Sequence, residues 1–129
     1  MAIYTGTAGD DSLVGGTGDD ELNGLEGNDT VRGGSGNDTL HAGWGNDYVD
    51  GGTGIDTVVL GGYRADYDVS WNATARTYTL VHRASGFTTT AKAVEEFGFG
   101  DGTWNAGDLL AAGPVGVAAA APQESLFAI

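Results

Sequence analysis

Three observations predict an all-β fold, a solenoid of short parallel strands followed by a small antiparallel sheet. Glycine crowds the first half of the chain, with 15 of the 24 between Gly6 and Gly54. Six blocks of nine residues follow one another without a slip from Gly6 to Val59. Beyond them, apolar residues alternate with polar ones, as at Tyr67, Val69 and Trp71, at Tyr78 and Leu80, and at Phe97 and Phe99, which is the period of a half-buried strand.

The blocks read GTAGDDSLV, GGTGDDELN, GLEGNDTVR, GGSGNDTLH, AGWGNDYVD and GGTGIDTVV. Position four is always glycine, position six is always Asp (Asp11, Asp20, Asp29, Asp38, Asp47, Asp56), and position eight is always aliphatic (Leu13, Leu22, Val31, Leu40, Val49, Val58). A period of nine suits neither a 3.6-residue helix nor a long strand. It fits a glycine-rich turn of about six residues and a strand of about three, whose middle side chain alone points inward. Two blocks then make one flattened coil, and residues eighteen apart stack.

That stacking brings Asp11, Asp29 and Asp47 together on one edge and Asp20, Asp38 and Asp56 on the other. Like charges in columns repel, and the chain as a whole carries a formal charge of −13. Such a surface excludes nucleic acid and anionic lipid as partners and favours cations. With no cysteine, thiolate sites and disulfides are excluded. Calcium suits the columns best, because it takes six to eight oxygen ligands in flexible geometry, carbonyls included. Three loops per edge leave two gaps per edge, hence about four ions.

The remaining motifs are negative. No EF-hand loop and no GxxxxGK[ST] phosphate loop occurs, and His41 and His82, the two histidines, stand in no base and nucleophile pattern. No catalytic residue is assigned, and an enzyme is not expected. No apolar run is long enough to span a membrane. The first residues, MAIYTGTAGDD, have none of the basic and apolar regions of a cleaved signal peptide, so any export signal is expected elsewhere.

The blocks resemble the GGxGxDxUx nonapeptide of the RTX (repeats-in-toxin) family. The resemblance covers residues 6–59 and implies a right-handed parallel β-roll loaded with calcium. The implied ligands are the six position-six aspartates together with carbonyls of Gly16, Gly18, Gly27, Gly34, Gly36, Gly45, Gly52 and Gly54. The chain departs from the pattern at Thr7, Leu25, Ala42 and Ile55, and sites touching the end aspartates Asp11 and Asp56 are expected to be weaker. The segment 60–110 resembles the region that follows such repeats in proteins exported by type I secretion, and reads as a β-strand cap. Residues 111–129 read as a flexible tail compatible with a C-terminal secretion signal.

The functional expectation is a calcium-binding module of a secreted, extracellular bacterial protein that folds on binding calcium and has the type I secretion machinery as a partner. The alternative is a calcium-scaffolded module that contacts a polysaccharide or cell surface through Trp44, the one large aromatic in a loop position that elsewhere holds Ala8, Thr17, Glu26, Ser35 and Thr53. Ice binding through outward threonines is a third reading, weakened because Ser12, Glu21 and Tyr48 interrupt the row.

Overall fold

A computed structural model describes residues 2–112 of the chain. The strands are β1 (Ile3–Thr5), β2 (Ser12–Gly16), β3 (Glu21–Asn23), β4 (Thr30–Gly34), β5 (Thr39–His41), β6 (Asp47–Asp50), β7 (Thr57–Val59), β8 (Tyr67–Asn72), β9 (Thr77–His82), β10 (Thr88–Lys92), β11 (Glu96–Phe99) and β12 (Gly102–Asn105). A 3-10 turn, Arg64–Asp66, precedes β8, and a helix, α1 (Ala106–Ala112), follows β12. One sheet runs β1-β3-β5-β7-β11-β12 and the other β2-β4-β6-β10-β9-β8.

Alternate blocks therefore feed alternate sheets, and every pairing among β1 to β7 is parallel with a register of eighteen. Leu22 stands beside Leu40 and Leu40 beside Val58 in one sheet. Leu13, Val31 and Val49 line up in the other. Position eight is the inward residue throughout, and Leu22, Val31, Leu40, Val49 and Val58 are fully buried. Leu13 is only half-buried because β2 is the edge of its sheet.

The repeat array gains a strand at its start. β1 pairs with β3, placing Tyr4 beside Leu22, so residues 3–5 supply the strand of a partial block ahead of the first full one. At the other end the chain leaves the roll after Val59, forms the antiparallel β8–β9–β10 ribbon, and returns. The expected antiparallel pairs are present, and β11–β12 is another. In addition β10 pairs in parallel with β6 and β11 in parallel with β7, so both sheets run without a break from roll into cap.

The cap core is larger and more aromatic. Tyr67, Leu80, Phe97, Phe99 and Leu109 are buried, and the Tyr67, Tyr78, Phe97, Phe99 and Trp104 rings meet edge-on or tilted at 5.2–5.6 Å. Arg64 is buried with them, donating to the carbonyls of Tyr67 at 3.0 Å and Leu109 at 2.8 Å. Helix α1, which the alternating strand pattern did not foretell, closes the cap by inserting Leu109. The predicted tail, 111–129, lies outside the described residues apart from the last turn of α1.

Candidate metal centre

Each block's six-residue turn carries its position-six Asp back over the edge of the roll, and the register of eighteen stacks these residues in two columns. The contact is a hydrogen bond: Asp11 N–H donates to Asp29 Oδ1 and Asp29 N–H to Asp47 Oδ1, both at 2.8 Å. On the other edge Asp20 N–H donates to Asp38 Oδ1 at 2.8 Å and Asp38 N–H to Asp56 Oδ1 at 2.9 Å. One oxygen of each of these four accepting carboxylates is thus used to tie a coil to the coil before it.

The second oxygen is not. Oδ2 of Asp20, Asp29, Asp38, Asp47 and Asp56 is buried with no hydrogen-bond partner, and the five side chains are at most 4% exposed. Leaving a buried carboxylate oxygen unpaired is strongly unfavourable. Asp11 differs because Thr7 replaces the usual glycine at position two: Thr7 N–H donates to its Oδ2 at 2.7 Å and Thr7 Oγ1 to its Oδ1 at 3.0 Å. Its carboxylate is satisfied locally and is half-exposed.

Around the orphan oxygens of Asp20, Asp29, Asp38 and Asp56 the backbone is unusually close. A Cβ on Gly33 would lie 2.5 Å from Asp38 Oδ2 and 2.8 Å from the Gly51 carbonyl oxygen; on Gly24 it would lie 2.8 Å from Asp29 Oδ2 and 2.9 Å from the Ala42 carbonyl. Position one is glycine there because a methyl group would fill the space between a carboxylate and the carbonyl of the next coil. Position two needs glycine for a second reason: Gly34, for example, has φ +92° and abuts the Gly16 carbonyl. Leu25 occupies that position in the third block at φ 66°, a left-handed conformation that costs a non-glycine residue.

Burial raises the aspartate pKa values. The Asp29 and Asp38 carboxyls are pushed above the ordinary range, Asp47 to about 6 and Asp56 to about 7. Desolvation is the main cause in all four; backbone hydrogen bonds oppose it, and the neighbouring carboxylates of the columns add to it.

These residues fit calcium. The donors are carboxylate and carbonyl oxygens only, and among the described residues no three His, Cys, Asp or Glu side chains converge as a transition-metal cluster would require. A site built here must draw on carbonyls, as hard oxygen-loving cations allow. Calcium bound among these oxygens would neutralise the columns.

The eight glycines predicted to supply carbonyls all have the left-handed backbone of a tight loop. The Gly16 and Gly34 carbonyls each also accept an inter-coil hydrogen bond, from Ser35 N–H at 2.8 Å and Thr53 N–H at 3.0 Å. Those of Gly18, Gly27 and Gly36 lie under Gly36, Gly45 and Gly54 of the next loop, and Gly52 and Gly54 stand in the last loop. Sequence reasoning did not single out the position-one carbonyls that face the orphan oxygens, those of Gly33, Ala42 and Gly51 among them. Nor did it find the position-five ladder: Asp10, Asp19, Asn28, Asn37 and Asn46 each accept, at 2.7–2.9 Å, a backbone N–H from the coil above. The recurring Asp or Asn at position five was its visible trace.

Trp44 is 44% exposed. Its indole meets His82 edge-on at 5.3 Å and lies against Gly61, covering the edge on which no further repeat stacks. It also lines an open groove of about 510 Å³ with Leu25, Glu26, His41 and Val59. His41 lies 3.0 Å from Glu21 Oε2 on the roll face.

The RTX calcium-binding nonapeptide repeat (4 copies) matches over residues 5–40 and 24–58. No curated protein matches the chain. Among solved structures, the AlgE6R3 subunit of the Azotobacter vinelandii mannuronan C5-epimerase is similar at 24% identity, with 96% of this chain and 94% of that one covered and a TM-score of 0.46. The extracellular lipase LipA of Serratia marcescens is similar at 24% identity over 74% of this chain, which spans 14% of the lipase, with a TM-score of 0.39.

Proposed function

Because residues 5–58 are an array of RTX calcium-binding nonapeptide repeats, we propose that this chain is a calcium-dependent folding module of a secreted bacterial protein, exported by a type I system. The observation that carries the reading is the set of five buried carboxylate oxygens without partners. Where calcium is scarce the two columns oppose coiling and the chain stays extended for export; where it is plentiful, binding and folding are one event. At calcium about 100-fold above Kd each site adds about 2.7 kcal/mol, so about four sites add about 11, comparable with the stability of a small domain.

The test is circular dichroism of the chain during calcium titration, with magnesium as control. A cooperative gain of β structure with calcium, absent with magnesium at equal concentration, is expected. Full β structure in excess chelator would overturn the reading.

A second reading, contact with a polysaccharide, is favoured by the half-exposed Trp44 in its groove. On that reading Trp44→Ala abolishes retention on immobilised polysaccharide and leaves the calcium transition in place; unchanged retention removes it.

A further inference from the structure

β10 and β11 continue the roll as if the repeats went on. Thr89 to Lys92 pair with Asp47 to Asp50, and Glu96 to Gly98 pair with Thr57 to Val59. Glu95 therefore stands where the next coil would place its position-six Asp. The hydrogen bonds agree. Asp56 N–H donates to Glu95 Oε1 at 2.8 Å, just as Asp38 N–H donates to Asp56 Oδ1. Glu96 N–H donates to the Asp56 carbonyl at 3.0 Å, as Thr57 N–H does to that of Asp38 at 2.9 Å. Gly51 N–H donates to the Lys92 carbonyl at 2.9 Å, as Gly24 N–H does to that of His41 at 2.9 Å.

What differs is the turn. Six residues, Gly51 to Asp56, join β6 to β7 beneath it, whereas only Ala93, Val94 and Glu95 join β10 to β11. The longer glutamate side chain spans what the shorter turn does not. The cradle beneath it is nonetheless that of a repeat: a Cβ on Gly51 would lie 2.7 Å from Asp56 Oδ2 and against the Ala93 carbonyl. Asp56 is fully buried, and its Oδ2 has no partner. Among the described residues, no salt bridge reaches Asp56 or Glu95.

We propose that the cap completes one more calcium site with the last repeat, its donors being the carboxylates of Asp56 and Glu95 and the carbonyl of Ala93. This rests on the reading of the repeats as calcium sites and extends it to a ligand that no repeat supplies. It also reverses the expectation that sites touching Asp56 are weak for want of a neighbouring loop. Through this site the cap itself becomes dependent on calcium.

The experiment compares the full chain with Glu95→Gln by calorimetric calcium titration. Glutamine keeps the oxygen that accepts from Asp56 N–H and removes only the charge, and Asp29→Asn serves as the matched loss inside the roll. Glu95→Gln is expected to bind one calcium fewer than the unaltered chain, while the circular dichroism transition of the roll persists. The fluorescence change of Trp104, which packs on Phe99 in the cap, should then need about tenfold more calcium or more. An unaltered calcium count and affinity in Glu95→Gln would overturn the proposal and leave the repeats as calcium sites. An unaltered chain that binds no calcium would instead overturn the underlying reading.

Discussion

Roll and cap share two sheets but are held together differently. In the roll β3 to β7 each bury one Leu or Val, and the loops between strands bury carboxylates whose second oxygen has no partner. In the cap, aromatic rings and Leu80 and Leu109 fill the interior, and Arg64, the one buried cation among the described residues, spends two nitrogens on carbonyls and leaves only Nε unpaired. The roll is thus unfinished as a protein interior and the cap is nearly complete.

The largest effect that breaks this contrast is steric. Gly33→Ala places a methyl group 2.5 Å from Asp38 Oδ2 and 2.8 Å from the Gly51 carbonyl. It should cost about 3 kcal/mol and raise the calcium midpoint of folding, as read by circular dichroism. In the cap, Gly98→Ala meets nothing nearer than 3.8 Å and should leave both the midpoint and the melting temperature almost unchanged. Equal effects at the two glycines would show that position one is not a cradle.

A smaller, opposite effect is expected from protons. In the metal-free roll the aspartate pKa values are raised, Asp47 to about 6 and Asp56 to about 7. A raised carboxylate pKa gives stability that is complete below the ordinary value near 4 and is lost as pH climbs through about 6 and then 7. In chelator, therefore, acidification from pH 8 to pH 5 should increase the β signal of the roll. In calcium the sign reverses, because protons compete for the same oxygens, and the calcium midpoint should rise over the same range. A roll equally unfolded in chelator at both pH values would remove desolvated carboxylates as the reason for calcium dependence.

Much of the roll could be read from the sequence because three positions in nine carry it. Asp at six, an aliphatic residue at eight and glycine at four set the register of eighteen, the two columns and the inward side chains. The position-one carbonyls could not be read, since a carbonyl leaves no mark on residue type; only the glycine that makes room for it does. The coil formed by residues 88–99 was hidden for another reason. Its turn is three residues shorter and lacks glycine, and the β8–β9 ribbon separates it from the sixth block, so Glu95 lies 39 residues from Asp56 and no period connects them. Trp44 was visible as an exception, but its packing against His82 depends on where that ribbon folds back.

The long detour between β7 and β10 also sets an order of events. Within the array, each coil closes on its predecessor by a chain loop of eighteen residues, whereas the contact of Asp56 with Glu95 closes one of 39. Loop entropy makes the longer closure dearer by about 0.7 kcal/mol, before the ribbon's own ordering is counted. Coils should therefore add one upon another like links in a zipper, with the final link fastening last. On that order the roll forms before the segment that seals it, and the open end of both sheets is exposed for that interval. A chain stalled at that point would present two unpaired strand edges, β6 and β7, to any other chain nearby.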